Sequence, residues 1–383
     1  MRMEPKYVKR RQRGLAVLIA ALVLLIGSVI YIGVAVVNRG NEDYRGSGNG
    51  VVQLVEIPEG SSLSELGPDL VSKGIVASDG AFQSAAFSNK GAADVKPGFY
   101  RLQEHMSASS AVAALLDPNN KVQMLEIQGG STLMDVNVVG GSTRSGIYSQ
   151  ISQVSCQENS DNCVTAEQLQ QAAANTAPAD LGVPSWAIDA VTARGNDPRR
   201  LEGLIIPGSY VVDPSADAVA ILKDLITRSA KQFESTNIES RAQAINLTPY
   251  QLLTAASLVE RESPANDFNK VARVILNRLA KNQRLEFDST VNYDLSEQEV
   301  ATTDEDRARV TPWNTYAMEG LPSTPIASAS LQAIEAIENP AQGDWLYFVT
   351  VDKNGTTVFS NTFEEHEAAV QQSIQNGVLD SNR

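Results

Sequence analysis

Thr248-Pro249-Tyr250-Gln251-Leu252-Leu253-Thr254-Ala255-Ala256-Ser257-Leu258-Val259-Glu260-Arg261-Glu262-Ser263-Pro264 reads as a helix with both of its ends marked. Threonine suits the N-cap, and proline is favoured at the first helical position. Leu252, Ala255, Ala256 and Val259 recur at i, i+3, i+4 and i+7, which is one face of a helix. Glu262 stands three residues past Val259 and seven past Ala255, so it falls on the same apolar stripe. Glu260 lies well off that stripe, and Arg261 points away. Pro264 ends the helix, because the residue before a proline avoids the α region. The pattern puts Glu262 at a helix C-terminus on an apolar face. Desolvation and the negative end of the helix dipole both raise a carboxyl pKa there. An acid that keeps its proton near neutrality is what acid-catalysed cleavage of a glycosidic bond requires. The same spacing also suits a glutamate that snorkels from the stripe edge to solvent.

Working outward, 383 residues leave room for two or three domains. The first 13 hold six basic residues (Arg2, Lys6, Lys9, Arg10, Arg11, Arg13) and one acid, Glu4. Residues 14–38 carry no charge, and the 23 mostly apolar residues from Leu15 to Val37 suffice to span a bilayer. The basic flank predicts a single-pass anchor with a cytoplasmic N-terminus and an extracytoplasmic body. A cleaved signal peptide would have a shorter apolar core and a small-residue cleavage site, which Val36-Val37-Asn38-Arg39 does not offer cleanly. Setting aside the tail's six bases and one acid takes the formal net charge from −14 to −19. Such a body is a poor nucleic-acid binder, since phosphate contacts need clustered cations. The two cysteines, Cys156 and Cys163, read as a small-loop disulfide in an exported protein, or as two free thiols. With only His105 and His366 besides, no metal site or cofactor is expected, and a histidine-dependent hydrolase is disfavoured. His366, among Glu364, Glu365 and Glu367, reads as a solvated or locally paired helix residue.

Residues 39–50 form a polar, flexible linker. Val51–Ile57 is a strand, then a Gly turn at Pro58-Glu59-Gly60, a Ser cap and a helix to about Lys73. Val122–Ile127, then Gln128-Gly129-Gly130 and Ser131-Thr132, looks like a second copy of that unit. Together with Lys96–Leu102 as a strand and a helix at 108–116, this predicts a small α+β module over 51–136. Residues 137–200 form a connecting region that holds the cysteine pair and a polar helix at 165–175. From 201 onward the body is mainly helical, with a helix at 217–233 and an apolar stripe Phe268, Val271, Ala272, Ile275 and Leu279. A β-hairpin of 345–351 with 356–359 and a last helix at 362–375 complete it.

Six ordered blocks of this body resemble the MltG (YceG-like) endolytic murein transglycosylases. They are Leu201-Glu202-Gly203 with Pro207 and Tyr210; Ala256–Glu262; Val274–Leu279; Arg284–Tyr293; Asn314-Thr315-Tyr316 with Gly320-Leu321-Pro322 and Pro325-Ile326; and Tyr347-Phe348-Val349 with Phe359-Ser360, Thr362, Glu365-His366 and Val370. The resemblance implies a membrane-anchored α+β protein of two domains, a small LysM-like module and a lysozyme-like catalytic body over 201–383. It places the acid/base glutamate on Glu262. Departures are Ser289, where the family usually has proline, Thr357, where a histidine is common, and Ser323-Thr324. None of these is expected to touch Glu262.

A lytic transglycosylase needs one carboxyl group, because the 6-hydroxyl of the N-acetylmuramic acid being cut acts as the nucleophile and closes a 1,6-anhydro ring. Glu260, Asp288, Asn314, Tyr316 and Glu202 are the further substrate-binding candidates. Asp288 reads equally as a turn cap, Asn314 and Tyr316 as fixing the backbone before Gly320, Glu260 as supporting a neighbouring strand or loop, and Glu202 as a structural pair. The expected partners are peptidoglycan glycan strands, with a penicillin-binding-protein synthase as a candidate. Two other functions fit the sequence: a glycan hydrolase, which needs a second carboxylate, and a non-catalytic wall-binding scaffold of the synthesis machinery.

Overall fold

The computed structural model describes residues 24–28, 42–58, 61–158, 163–213, 216–298 and 302–379. The basic tail and most of the expected membrane span lie outside these residues, as do Glu59 and Gly60. Among the described residues no helix is long and apolar enough to cross a membrane. The chain divides between Gln123 and Met124 into two compact units.

In the smaller unit, strand β1 (Val52–Ile57) pairs antiparallel with β2 (Gly98–Gln103). Helices Gly67–Ser72 and Asp79–Ser88 connect them, and helix Ala108–Leu116 follows. Alternation in β1 sends Val55 and Ile57 inward, where Leu70, Phe82, Leu102 and Leu115 meet them. The sequence reading has one helix between these strands, and the structure has a second, Asp79–Ser88.

The small module does not extend to its expected end at 136. Strand β3 (Met124–Ile127), half of the apparent second copy, pairs antiparallel with β6 (Gly208–Val211) in the larger unit. No helix follows Ser131. The segment instead runs as a loop into β4 (Val136–Val138), which pairs with β5 (Ser142–Arg144) and, in parallel, with β7 (Glu297–Gln298). The likeness of the two copies is one of local turn chemistry, and tertiary pairing overrides it. The connecting region is well built: helices Ile147–Glu158, Ala166–Asn175 and Ile188–Ala193 pack into the main core. Cys156 and Cys163 are bonded as a disulfide.

The larger unit is organised around helix Pro249–Glu262. The Thr248 side chain accepts from the Gln251 amide, and the Gln251 side chain accepts from the Thr248 amide. Every residue from Leu252 to Val259 is buried, not the predicted stripe alone. Helices Phe268–Ala280 and Leu331–Glu338 pack on one side and the loop 324–330 on another. That loop is stitched to the helix: Ser257 Oγ accepts from the Ile326 amide at 3.1 Å, and Glu260 Oε2 accepts from the Ser330 amide at 3.0 Å. Gly203 locks the same loop from behind. Its φ is +79°, and a Cβ there would stand 2.5 Å from the Pro325 ring, so the Leu-Glu-Gly block and Pro325-Ile326 need each other. Leu258 is fully buried, and Leu258→Ala would cost about 3 kcal/mol.

Strands β8 (Tyr347–Thr350) and β9 (Thr357–Ser360) form the expected hairpin. Helix Phe363–Gln375 packs on it, capped at its start and fastened to the hairpin near its end. Thr362 and Glu365 cap its start reciprocally. Near its end, Ser373 Oγ donates to the Thr350 carbonyl at 2.6 Å and Asn376 Nδ2 to the Val351 carbonyl at 2.7 Å.

Candidate active site

Helix Pro249–Glu262 delivers Glu262 to a cleft of about 230 Å³. Arg278 lines it from the neighbouring helix, Glu286 and Phe287 from an extended segment, Tyr316 from a loop, Tyr347 and Phe348 from β8, and Phe363 and His366 from the C-terminal helix. Two larger hollows, about 490 and 510 Å³, have neither an aromatic wall nor an acid of raised pKa among their lining residues. Glu262 keeps some solvent access as a residue, but protein atoms crowd its carboxyl. Burial pushes its pKa up to about 7. The Asp288 carboxylate beside it adds to the rise, while Ser289 and Arg261 oppose it. Glu262 thus carries its proton for much of the time near neutral pH.

Asp288 is held in place by three donors. Its carboxylate accepts from Tyr316 Oη at 2.7 Å, Thr302 Oγ1 at 2.8 Å and Arg307 Nη2 at 3.1 Å. Burial and that carboxylate together drive the Tyr316 phenol well above its usual pKa, so Tyr316 remains a donor to Asp288. Ser289, expected to leave Glu262 untouched, faces it: amide and hydroxyl both act on the carboxyl and hold its pKa down. The hydroxyl is buried and has no partner of full hydrogen-bond geometry among the described residues.

Arg278 builds the floor. Its guanidinium donates to the carbonyls of Leu346 at 2.6 Å and Leu285 at 2.7 Å, pairs with Glu286 at 3.4 Å, and lies 5.0 Å from the Tyr347 ring centre. Glu286 takes a left-handed φ of +54°, and Phe287 beyond it is pinned by its amide donating to Thr315 Oγ1 at 3.0 Å.

Of the six residues expected at the site, the structure brings Glu262, Asp288 and Tyr316 together and leaves three elsewhere. Glu260 holds Ser330, the N-cap of helix Leu331–Glu338, by accepting from its amide and its hydroxyl, the latter at 2.6 Å. Asn314 is 1 % exposed, and its side-chain amide is used on the carbonyls of Asp306, Arg307 and Arg309 while its oxygen accepts from the Tyr316 amide. It shapes the loop that presents Tyr316 and has no donor left for a sugar. Glu202, also 1 % exposed, accepts from the Leu133 amide at 3.2 Å and Tyr293 Oη at 3.0 Å. Burial lifts its pKa to about 7 as well, yet it does not line the cleft. In each case the sequence shows a polar side chain but not the distant group that takes it up.

His366, which reads from the sequence as a solvated or locally paired helix residue, is neither. It is half-buried, stacks on Tyr347 with ring centres 5.2 Å apart, and lines the cleft with Glu262. Phe363, Tyr347, Phe287 and Arg278 were not singled out as site residues. The i, i+3 spacing of Phe363 and His366 was the available signal.

The chain matches the YceG-like family over residues 55–372. It is 28% identical over 355 residues to the endolytic murein transglycosylase of Bacillus subtilis (strain 168), covering 92% of this chain and 91% of that protein. It is 27% identical over 340 residues to the endolytic murein transglycosylase of Streptococcus pneumoniae (strain D39), covering 84% of this chain and 58% of that longer protein. The crystal structure of a YceG-like protein from Listeria monocytogenes aligns with a TM-score of 0.51 at 25% identity, over 83% of this chain and 98% of that one. This chain belongs to the YceG-like family.

Proposed function

We propose that this protein is an endolytic lytic transglycosylase of peptidoglycan with Glu262 as its acid and base. The observation that carries the reading is a carboxyl group with a pKa of about 7 at the edge of a cleft walled by aromatic rings. Protonated Glu262 donates to the bridging oxygen between N-acetylmuramic acid and N-acetylglucosamine, and the C1–O bond breaks. The carboxylate so formed takes the proton of the 6-hydroxyl on the muramic sugar. That oxygen bonds to C1, closes the 1,6-anhydro ring and returns Glu262 to its acid form. An internal hydroxyl has a high effective concentration, so no activated water is required. Asp288, fixed by three donors, supplies negative charge near the developing oxocarbenium ion and keeps Glu262 protonated.

A hydrolase needs a free carboxylate to activate water. Asp288 is fully engaged, and Glu286, the other carboxylate lining the cleft, is tied to Arg278. Both features favour the lyase. The uncharged stretch 14–38 behind a basic tail supports a single-pass anchor with the catalytic unit outside the cytoplasm. On this reading the smaller unit is a LysM-like module, and nascent glycan from a penicillin-binding-protein synthase is the substrate at hand. Glu262→Gln protein incubated with purified sacculi tests the assignment: it should release no anhydro-ended muropeptides, and retained release would overturn it.

A further inference from the structure

One wall of the cleft is more ordered than the chemistry at Glu262 demands. Phe363 and His366 sit one turn apart at the start of the last helix. The reciprocal Thr362–Glu365 cap fixes that turn, and Ser373 and Asn376 fasten the far end to the hairpin. Both side chains meet Tyr347 of β8: His366 stacks nearly parallel, at 19° and 5.2 Å, and Phe363 meets it edge-on at 5.9 Å. Phe363 is nevertheless 54% exposed at the cleft. A large ring held rigidly in water beside a catalytic acid has a face to offer.

The imidazole adds direction. Its Nδ1 is buried and has no hydrogen-bond partner among the described residues. A proton there would be a donor stranded away from water, whereas a bare acceptor is the lesser loss. Placing the proton on Nε2 avoids that loss. Burial and nearby Arg278 keep the ring neutral, so it presents a single N–H donor. Nothing described so far uses that donor.

We infer that Phe363, Tyr347 and His366 form a sugar subsite, in which the exposed aromatic surface packs on the C–H face of an N-acetylated hexosamine and His366 Nε2–H donates to one of its oxygens. This rests on the proposed glycan-cleaving function. Stacked rings carry a neutral sugar without a charge, and a rigid wall holds it at low entropic cost.

Full-length Phe363→Ala and His366→Ala should each raise the apparent KM for sacculi about tenfold, more than they lower kcat. In the Glu262→Gln background they should weaken binding of tetra-N-acetylchitotetraose to a similar degree. Phe363→Trp and His366→Gln, which keep a flat ring and a donor, should recover most of the loss. Alanine variants with KM and oligosaccharide binding within twofold of the parent would overturn the inference, as would losses that the conservative variants fail to restore. Failure of the catalytic reading is seen separately, as anhydro products from Glu262→Gln itself.

Discussion

The raised pKa of Glu262 has a stability consequence that can be worked through. An ordinary glutamate titrates near 4.5, and Glu262 at about 7, a gap of about 2.5 pH units. At 1.36 kcal/mol per unit this is about 3.4 kcal/mol, and its partial solvent access trims it to about 2–3 kcal/mol. The folded-state pKa lies above the unfolded one. The contribution is therefore fully present below pH 4.5 and is lost as pH rises through 7. Glu262→Gln keeps the shape and removes the titration. Its stability relative to the parent should rise by about 2–3 kcal/mol between pH 4.5 and pH 8. Any fixed effect of the amide cancels in that difference, and so does Glu202, which titrates in both proteins. Urea unfolding followed by tryptophan fluorescence is the assay. Trp186, Trp313 and Trp345 all lie in the larger unit, so the signal reports that unit alone. A difference that stays flat with pH would refute the claim that this carboxyl is held protonated.

The neighbours of Glu262 should move the pH profile of cleavage in opposite directions. Asp288→Asn removes a like charge, lowers the Glu262 pKa and shifts the alkaline limb to lower pH; Ser289→Ala removes an opposing group and shifts it higher. Glu260→Ala leaves the amide and hydroxyl of Ser330, the N-cap of helix Leu331–Glu338, without their acceptor and should cost about 2 kcal/mol in urea unfolding, with little effect on the position of that limb. Glu202→Ala leaves the Leu133 amide and the Tyr293 hydroxyl unpaired in the interior and should cost about 3 kcal/mol, measured the same way. Replacing Cys156 and Cys163 by serine should lower stability by about 2 kcal/mol while sacculus cleavage proceeds at the parental rate.

What the sequence disclosed about the site came from local rules. The period from Leu252 to Val259, the Thr248-Pro249 start and the Pro264 stop act within one helix, and they located Glu262 without any tertiary information. The hairpin and the last helix were legible for the same reason. The rest depended on what packs where. The pairing of β3 with β6 took residues 124–136 out of the small module, although their turn chemistry copies that of 58–63. Asn314 and Glu260 looked available because nothing in a linear chain shows that three carbonyls or a helix N-terminus will claim them. His366 stands among glutamates on a polar helix, and only the docking of that helix on Tyr347 turns it toward the cleft.

The most direct test is the mass of the sugar ends released from sacculi by the parent protein and by Glu262→Gln. Muropeptides one water lighter than hydrolysis products are expected from the parent, and none from the variant. Reducing-end products from the parent, or anhydro ends from the variant, would contradict it.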